Sequence, residues 1–198
     1  MIPKTVSSPS LHSPRSLQLT ISTEGANWTT IPVAHTIDPL CFLLGEFKSL
    51  NATSVIVHPR VKIDGSETAR NFADSVSVSG VLESGATATF TCNMTTPATP
   101  DNLYWIISGE KGALKLEGKH AFFAFSAPAL YQYVPGEGAK WEEVEVQKSK
   151  HFGGIAEVYE TYAEGKGDGL VDFEEAVKRH RLIDAIFRSS ESGQRVSY

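Results

Sequence analysis

The sequence predicts an α+β fold, an open-faced, mainly antiparallel sheet with helices packed on one face. Three observations carry that prediction. Short segments of alternating polarity, punctuated by glycine turns, fill the middle of the 198-residue chain. Between them no helical stretch is long enough to serve as a parallel crossover. The apolar period becomes helical only near the C-terminus, so strands come first and helices last.

Residues 1–15, MIPKTVSSPSLHSPR, hold three prolines and a cluster of serines without an apolar period, which predicts a loose arm. A single domain is expected over 16–198. Leu17, Leu19 and Ile21 alternate with polar neighbours as in a half-wet strand. From His35 to Leu44, apolar Ile37, Leu40, Cys41 and Leu44 recur at helical spacing; Pro39 suits only a first turn, and Gly45 stands where a left-handed cap is wanted. Next comes a hairpin, 75–82 with 86–92 across Glu83-Ser84-Gly85. Its residues sort by parity into Ser75, Ser77, Ser79, Thr87, Thr89 and Thr91 on one face and Val76, Val78, Ala88, Phe90 and Cys92 on the other. A second hairpin joins Leu103–Ser108 to Ala113–Glu117 through a Gly109–Gly112 turn, and strands are expected at 120–125, 129–134 and 141–147. Ile155, Val158, Tyr159 and Tyr162 then space as a helix. After a glycine loop, Asp172 and Glu175 form a capping box opening a longer helix, with a buried stripe predicted along Phe173, Ala176, Val177, His180, Ile183 and Phe187.

Composition limits the function. With 41% hydrophobic and 21% charged residues the chain is globular. At this length it buries about 70% of the surface its unfolded form exposes, so Cys41 and Cys92 need no structural role. Eighteen basic against twenty-three acidic residues leave a net charge of −5, the wrong sign for gripping phosphate backbones, so nucleic acid is not expected as a partner. The longest apolar run, Leu40–Leu44, is far short of a membrane span, and the N-terminus lacks a secretory apolar core. A cytoplasmic location is the resulting expectation.

Two motifs are decoys. Gly165-Lys166-Gly167-Asp168-Gly169 resembles a phosphate loop, but a dinucleotide fingerprint must leave a strand and open a helix, whereas this one joins two helices. Residues 168–175 resemble the second half of a calcium loop, yet its third position would be Lys166, a cation where a carboxylate is required. No cofactor or metal site is therefore expected. His180 is expected as a core histidine. His35 stands apart, because it begins a helix with Asp38 one turn on. An imidazole there can act as acid or base near neutral pH with a carboxylate to orient it, although capping and dipole effects favour the same residues.

Four ordered segments carry a resemblance: TTIPVAHTIDPLCFLLGEF from Thr29, VSVSGVLESGATATF from Val76, LYWIISGEKGALKLEG from Leu103, and DFEEAVKRHRLIDAIFRSSESGQRVSY from Asp172. Over roughly Trp28–Tyr198 the chain resembles the C-terminal domain of the glucose-fructose oxidoreductase / inositol dehydrogenase / MocA family, particularly its fungal branch related to the galactose-regulon repressor. The resemblance implies an upstream Rossmann domain and an E-K-P lysine, neither of which this sequence contains. It implies a catalytic role for His35, with Asp38 as the acidic residue that follows. Some members carry an active-site aspartate four residues before the histidine, where Ile31 stands here.

Two functions follow as expectations. The first is a stand-alone, cofactor-independent lyase, isomerase or cyclase of fungal specialised metabolism, acting on a small, largely apolar organic substrate. His35 and Asp38 would be catalytic, with Trp28, Thr30, Tyr104, Trp105, Phe123 and Phe125 lining the substrate. The alternative is a non-catalytic substrate-binding or dimerisation module, or a fragment of an NAD(P)-dependent oxidoreductase. Either way a homodimer through the open Ser/Thr face is expected.

Overall fold

A computed structural model describes residues 25–63, 65–94, 103–119, 128–146, 154–165 and 170–198. The N-terminal arm, the Leu17–Ile21 strand, the 120–125 strand and residues 166–169 of the glycine loop lie outside them. The fold is α+β, and every strand pair among the described residues is antiparallel. The chain divides into two compact units, Met1–Thr95 with Phe173–Tyr198, and Thr96–Asp172.

The first unit opens with a π-helical turn, Thr29–Val33, running directly into helix α1, Ala34–Leu44. Pro32, not Pro39, occupies the start of this helical run. Pro39 lies inside α1, contrary to the sequence expectation, because the helical run begins at Thr29 and not at His35. Val33, Ile37, Leu40 and Cys41 form the buried face of the run. Gly45 ends it at φ +92°, its N–H donating to the Cys41 carbonyl at 2.9 Å.

Strand β1, Phe47–Val55, pairs with β4, Ser75–Leu82, which pairs in turn with β5, Thr87–Asn93. Between β1 and β4 lies a short hairpin, β2 (Arg60–Ile63) with β3 (Ser66–Ala69). The parity read from sequence holds: Val76, Val78, Phe90 and Cys92 are buried, whereas Ser79, Thr87, Thr89 and Thr91 are exposed. Gly80 sits in β4 because a Cβ there would fall 2.3 Å from the Ser49 carbonyl oxygen and 2.8 Å from the Phe47 ring, where the β1 register slips.

Helix α3, Phe173–Ser192, packs on β1. Its buried stripe is Leu182, Ile183, Ala185, Ile186 and Ser189, so the predicted stripe is corrected: Phe173 is 91% exposed, and Val177 and His180 face solvent too. The buried face includes polar Arg179 and Ser189, which an apolar-only count passes over. Hydroxyls on this helix also blunt the β1 edge. Ser189 Oγ and Ser190 Oγ accept the Ala52 and Ser54 N–H groups, each at 2.9 Å, and Leu50 exchanges two backbone bonds with Val196.

A buried carboxylate ties the β1–β2 connection to the start of β4. Asp74 accepts the Val57 and His58 N–H groups at 2.6 and 3.1 Å, the His58 ring at 2.9 Å, and Arg70 Nη1. Both Asp74 and Arg70 are buried, so the pair is compensated inside the core.

In the second unit a four-stranded meander runs β6 (Leu103–Gly109), β7 (Gly112–Gly118), β8 (Ala129–Tyr133) and β9 (Glu142–Val144). The β6–β7 turn closes at Gly109 opposite Gly112, as the sequence predicts. Helix α2, Ile155–Ala163, forms at the predicted place with Ile155, Val158, Tyr159 and Tyr162 exposed.

Candidate functional site

His35 and Asp38 lie on the exposed face of α1, opposite its buried stripe. Exposed apolar side chains share that side of the helix: Ile31 one turn before His35, and Phe42, 82% exposed, two turns after it. His35 thus stands on a helix face that also carries exposed apolar groups.

The structure directs Asp38 to α3. Its Oδ1 accepts Arg179 Nε at 2.7 Å. The same guanidinium grips Glu46 with both terminal nitrogens, Nη2 to Oε1 at 3.1 Å and Nη1 to Oε2 at 3.3 Å. Glu46 Oε2 also accepts the Tyr198 hydroxyl at 2.8 Å, and that hydroxyl accepts the Phe47 N–H at 3.4 Å.

The electrostatics follow from this packing. Burial by itself would raise the Glu46 carboxyl, but hydrogen bonds from Arg179 and Tyr198 and the guanidinium charge outweigh it, and the carboxyl is held below its ordinary range. Burial, reinforced by the Glu46 carboxylate, keeps the Tyr198 phenol protonated well beyond its usual range. Cys41, buried beneath the cluster, is pushed up to about 12 by burial, with Arg179 opposing, and is an unreactive thiol. Sequence reasoning missed Arg179, Glu46 and Tyr198, since each acts across more than 130 residues and no local spacing announces such a contact.

The proposed substrate-lining residues are placed as follows. Trp28 is half-buried, its Nε1 donating to the Cys92 carbonyl at 3.4 Å. Thr30 spends its hydroxyl locally, donating to the Gly25 carbonyl at 2.8 Å and accepting the Asn27 N–H at 2.9 Å. Tyr104 and Trp105 are successive residues of β6, paired with Glu117 and Leu116, so their side chains leave opposite faces of the sheet and cannot share one wall. Phe123 and Phe125 lie outside the described residues.

On the Tyr104 face, Lys115 Nζ stands 4.6 Å from the centre of the Tyr131 ring and 5.1 Å from that of Trp141, with Glu117 at 3.0 Å. A dinucleotide cradle requires a strand opening into a helix within a parallel βαβ unit. Among the described residues all pairing is antiparallel, so they hold no parallel βαβ unit of that kind.

Comparison with known proteins agrees with this fold. The chain is 36% identical over 184 residues to an Aspergillus oryzae protein named dehydrogenase aclE, matching 89% of this chain and 50% of that protein. Its fold is similar to Gal80p of Saccharomyces cerevisiae, with a TM-score of 0.81 at 20% identity over 96% of this chain and 54% of that one. Transcriptional regulator Gal80p of Kluyveromyces lactis matches at 0.77 and 27% identity over 95% and 49%. An aldose-aldose oxidoreductase of Caulobacter crescentus shares the fold at 0.62 and 18% identity over 83% and 45%. The chain thus spans about half the length of each relative. Residues 11–118 match the family model described as Gal80p, C-terminal domain, and the chain belongs to that oxidoreductase-like C-terminal family.

Proposed function

We propose that this domain is the substrate-side half of a dehydrogenase site, with His35 as its acid–base group, and that the cofactor-bearing half lies outside this domain. One observation carries the reading: His35 stands on an exposed helix face flanked by Ile31 and Phe42. A proton-transfer group works best where water is excluded, so such a face calls for a covering surface. The match to a protein named a dehydrogenase supports a dehydrogenase site. Its apolar neighbours favour a small, largely apolar organic substrate.

The test is reconstitution. The purified chain is titrated with NAD(H) and NADP(H), alone and after co-expression with the N-terminal half of the Aspergillus oryzae relative. The expected outcome is no saturable cofactor binding by the chain alone, and cofactor-dependent turnover by the pair that His35→Ala lowers by 10²–10⁴-fold, the range general acid–base catalysis supplies. Cofactor-free turnover by the chain alone, lost in His35→Ala, would replace this reading with the stand-alone non-redox enzyme.

We also propose a homodimer through the Ser/Thr face of β4 and β5. Its support is the row of exposed hydroxyl residues, Ser79, Thr87, Thr89 and Thr91, opposite a buried apolar row. Light scattering should give twice the 21.5 kDa chain mass, and Thr89→Arg should return the monomer.

A further inference from the structure

We infer that Arg179, Glu46 and Tyr198 act together as positioning residues for the His35 face, a role resting on the reading of that face as the substrate side. The chain of contacts is continuous: the Phe47 N–H and the Tyr198 hydroxyl, the hydroxyl and Glu46, Glu46 and Arg179, Arg179 and Asp38. Asp38 lies three residues from His35 on the same helix, the spacing at which helical side chains are neighbours.

Magnitudes separate this from simple stapling of α1 to α3. Asp38 is 52% exposed, and an ion pair that open to water contributes little to stability. The Asp38 leg is therefore nearly dispensable for stability. Its effect is on geometry. Arg179 is 12% exposed and presents a rigid planar fork; Glu46 occupies both terminal nitrogens and so sets the plane, which aims Nε at Asp38. Tyr198 holds Glu46 in turn, making it a determinant of where the Asp38 carboxylate sits. A lysine at 179 would keep the charge and lose the fork.

The experiment follows the His35 ring directly. The full chain is labelled with ¹³C at the histidine Cε1 positions, and the His35 signal is assigned by its disappearance in His35→Gln. Arg179→Lys and Asp38→Asn should each displace that signal, Tyr198→Phe should displace it less and in the same sense, and the His58 signal should stay in place. Tyr198→Phe removes a single oxygen and leaves the apolar contacts, which guards against misfolding. An unmoved His35 signal in both Arg179→Lys and Tyr198→Phe, in proteins with wild-type spectral dispersion, overturns the proposal. A displaced signal together with an assembled enzyme indifferent to His35→Ala supports the positioning network and overturns the catalytic reading of His35 instead.

Discussion

In the first unit α3 packs on β1, and Ile37, Leu50, Val76, Leu182 and Ile186 are sealed from water. In the second, Leu103 is the one buried apolar side chain among the described residues, and the sheet and α2 present Tyr104, Ile106, Tyr159 and Tyr162 to solvent. Both units have regular antiparallel or helical hydrogen bonding, so backbone order does not separate them. What differs is how many faces of each element are covered. A unit with a closed core responds to substitution through stability, while one with open faces responds through what binds it.

The sharpest way to break that contrast is at Asp74. Its carboxylate is fully buried and serves Arg70, His58 and two backbone donors at once. Asp74→Ala leaves the Arg70 charge and those donors uncompensated, and should cost about 3–5 kcal/mol. Urea denaturation measures it; a loss below about 1 kcal/mol would mean that water reaches the cluster. Next in size is Ile186→Ala, which empties part of the α3–β1 contact and should cost about 2–5 kcal/mol by the same measurement.

Alkaline pH acts on the first unit through its two buried cysteines. Cys41 and Cys92 are each pushed up to about 12 by burial from an ordinary value of 9.0. The unfolded chain loses these protons first, so stability is full below pH 9.0 and falls as pH rises toward 12, and Tyr198, also raised, adds to the loss. On the acid side the sign reverses. Glu46 is depressed below 4.5, so its contribution is present above that value and disappears as pH falls through the folded-state pKa. Thermal melts across both ranges test the two signs. A midpoint unchanged from pH 9 to 11 would show that neither thiol is sealed in the native state.

How much of this was legible in the sequence follows from which contacts are local. The β4–β5 and β6–β7 hairpins could be read, because alternating polarity and glycine turns act over a few residues. Strand β1 did not stand out: Asn51, Thr53 and Ser54 interrupt its apolar pattern, and its edge is satisfied by serines from the far end of the chain. Apolar spacing alone places the stripe of α3 about one residue out of phase, since polar Arg179 and Ser189 are part of its inward face. His35 was visible from its place at the start of a helix. Its surroundings were not, because a guanidinium 141 residues away decides what Asp38 does.

The smallest expected effect sharpens the comparison most. Tyr104 is 66% exposed, and it shares a sheet face with Ile106, Lys115 and Glu117 by the pairing of β6 with β7. If that face is open in the free protein, Tyr104→Ser and Ile106→Ser remove little buried area and should shift stability by no more than about 0.5 kcal/mol. Trp105, one residue along on the opposite face, is less exposed, and its truncation should cost more than either. Equal losses at 104 and 105 would mean that both faces are covered in solution, and the distinction between a sealed unit and an open one would fail. A neutral Tyr104→Ser that nevertheless changes the mass seen by light scattering would move the association surface from the Ser/Thr face of β4 and β5 to this sheet.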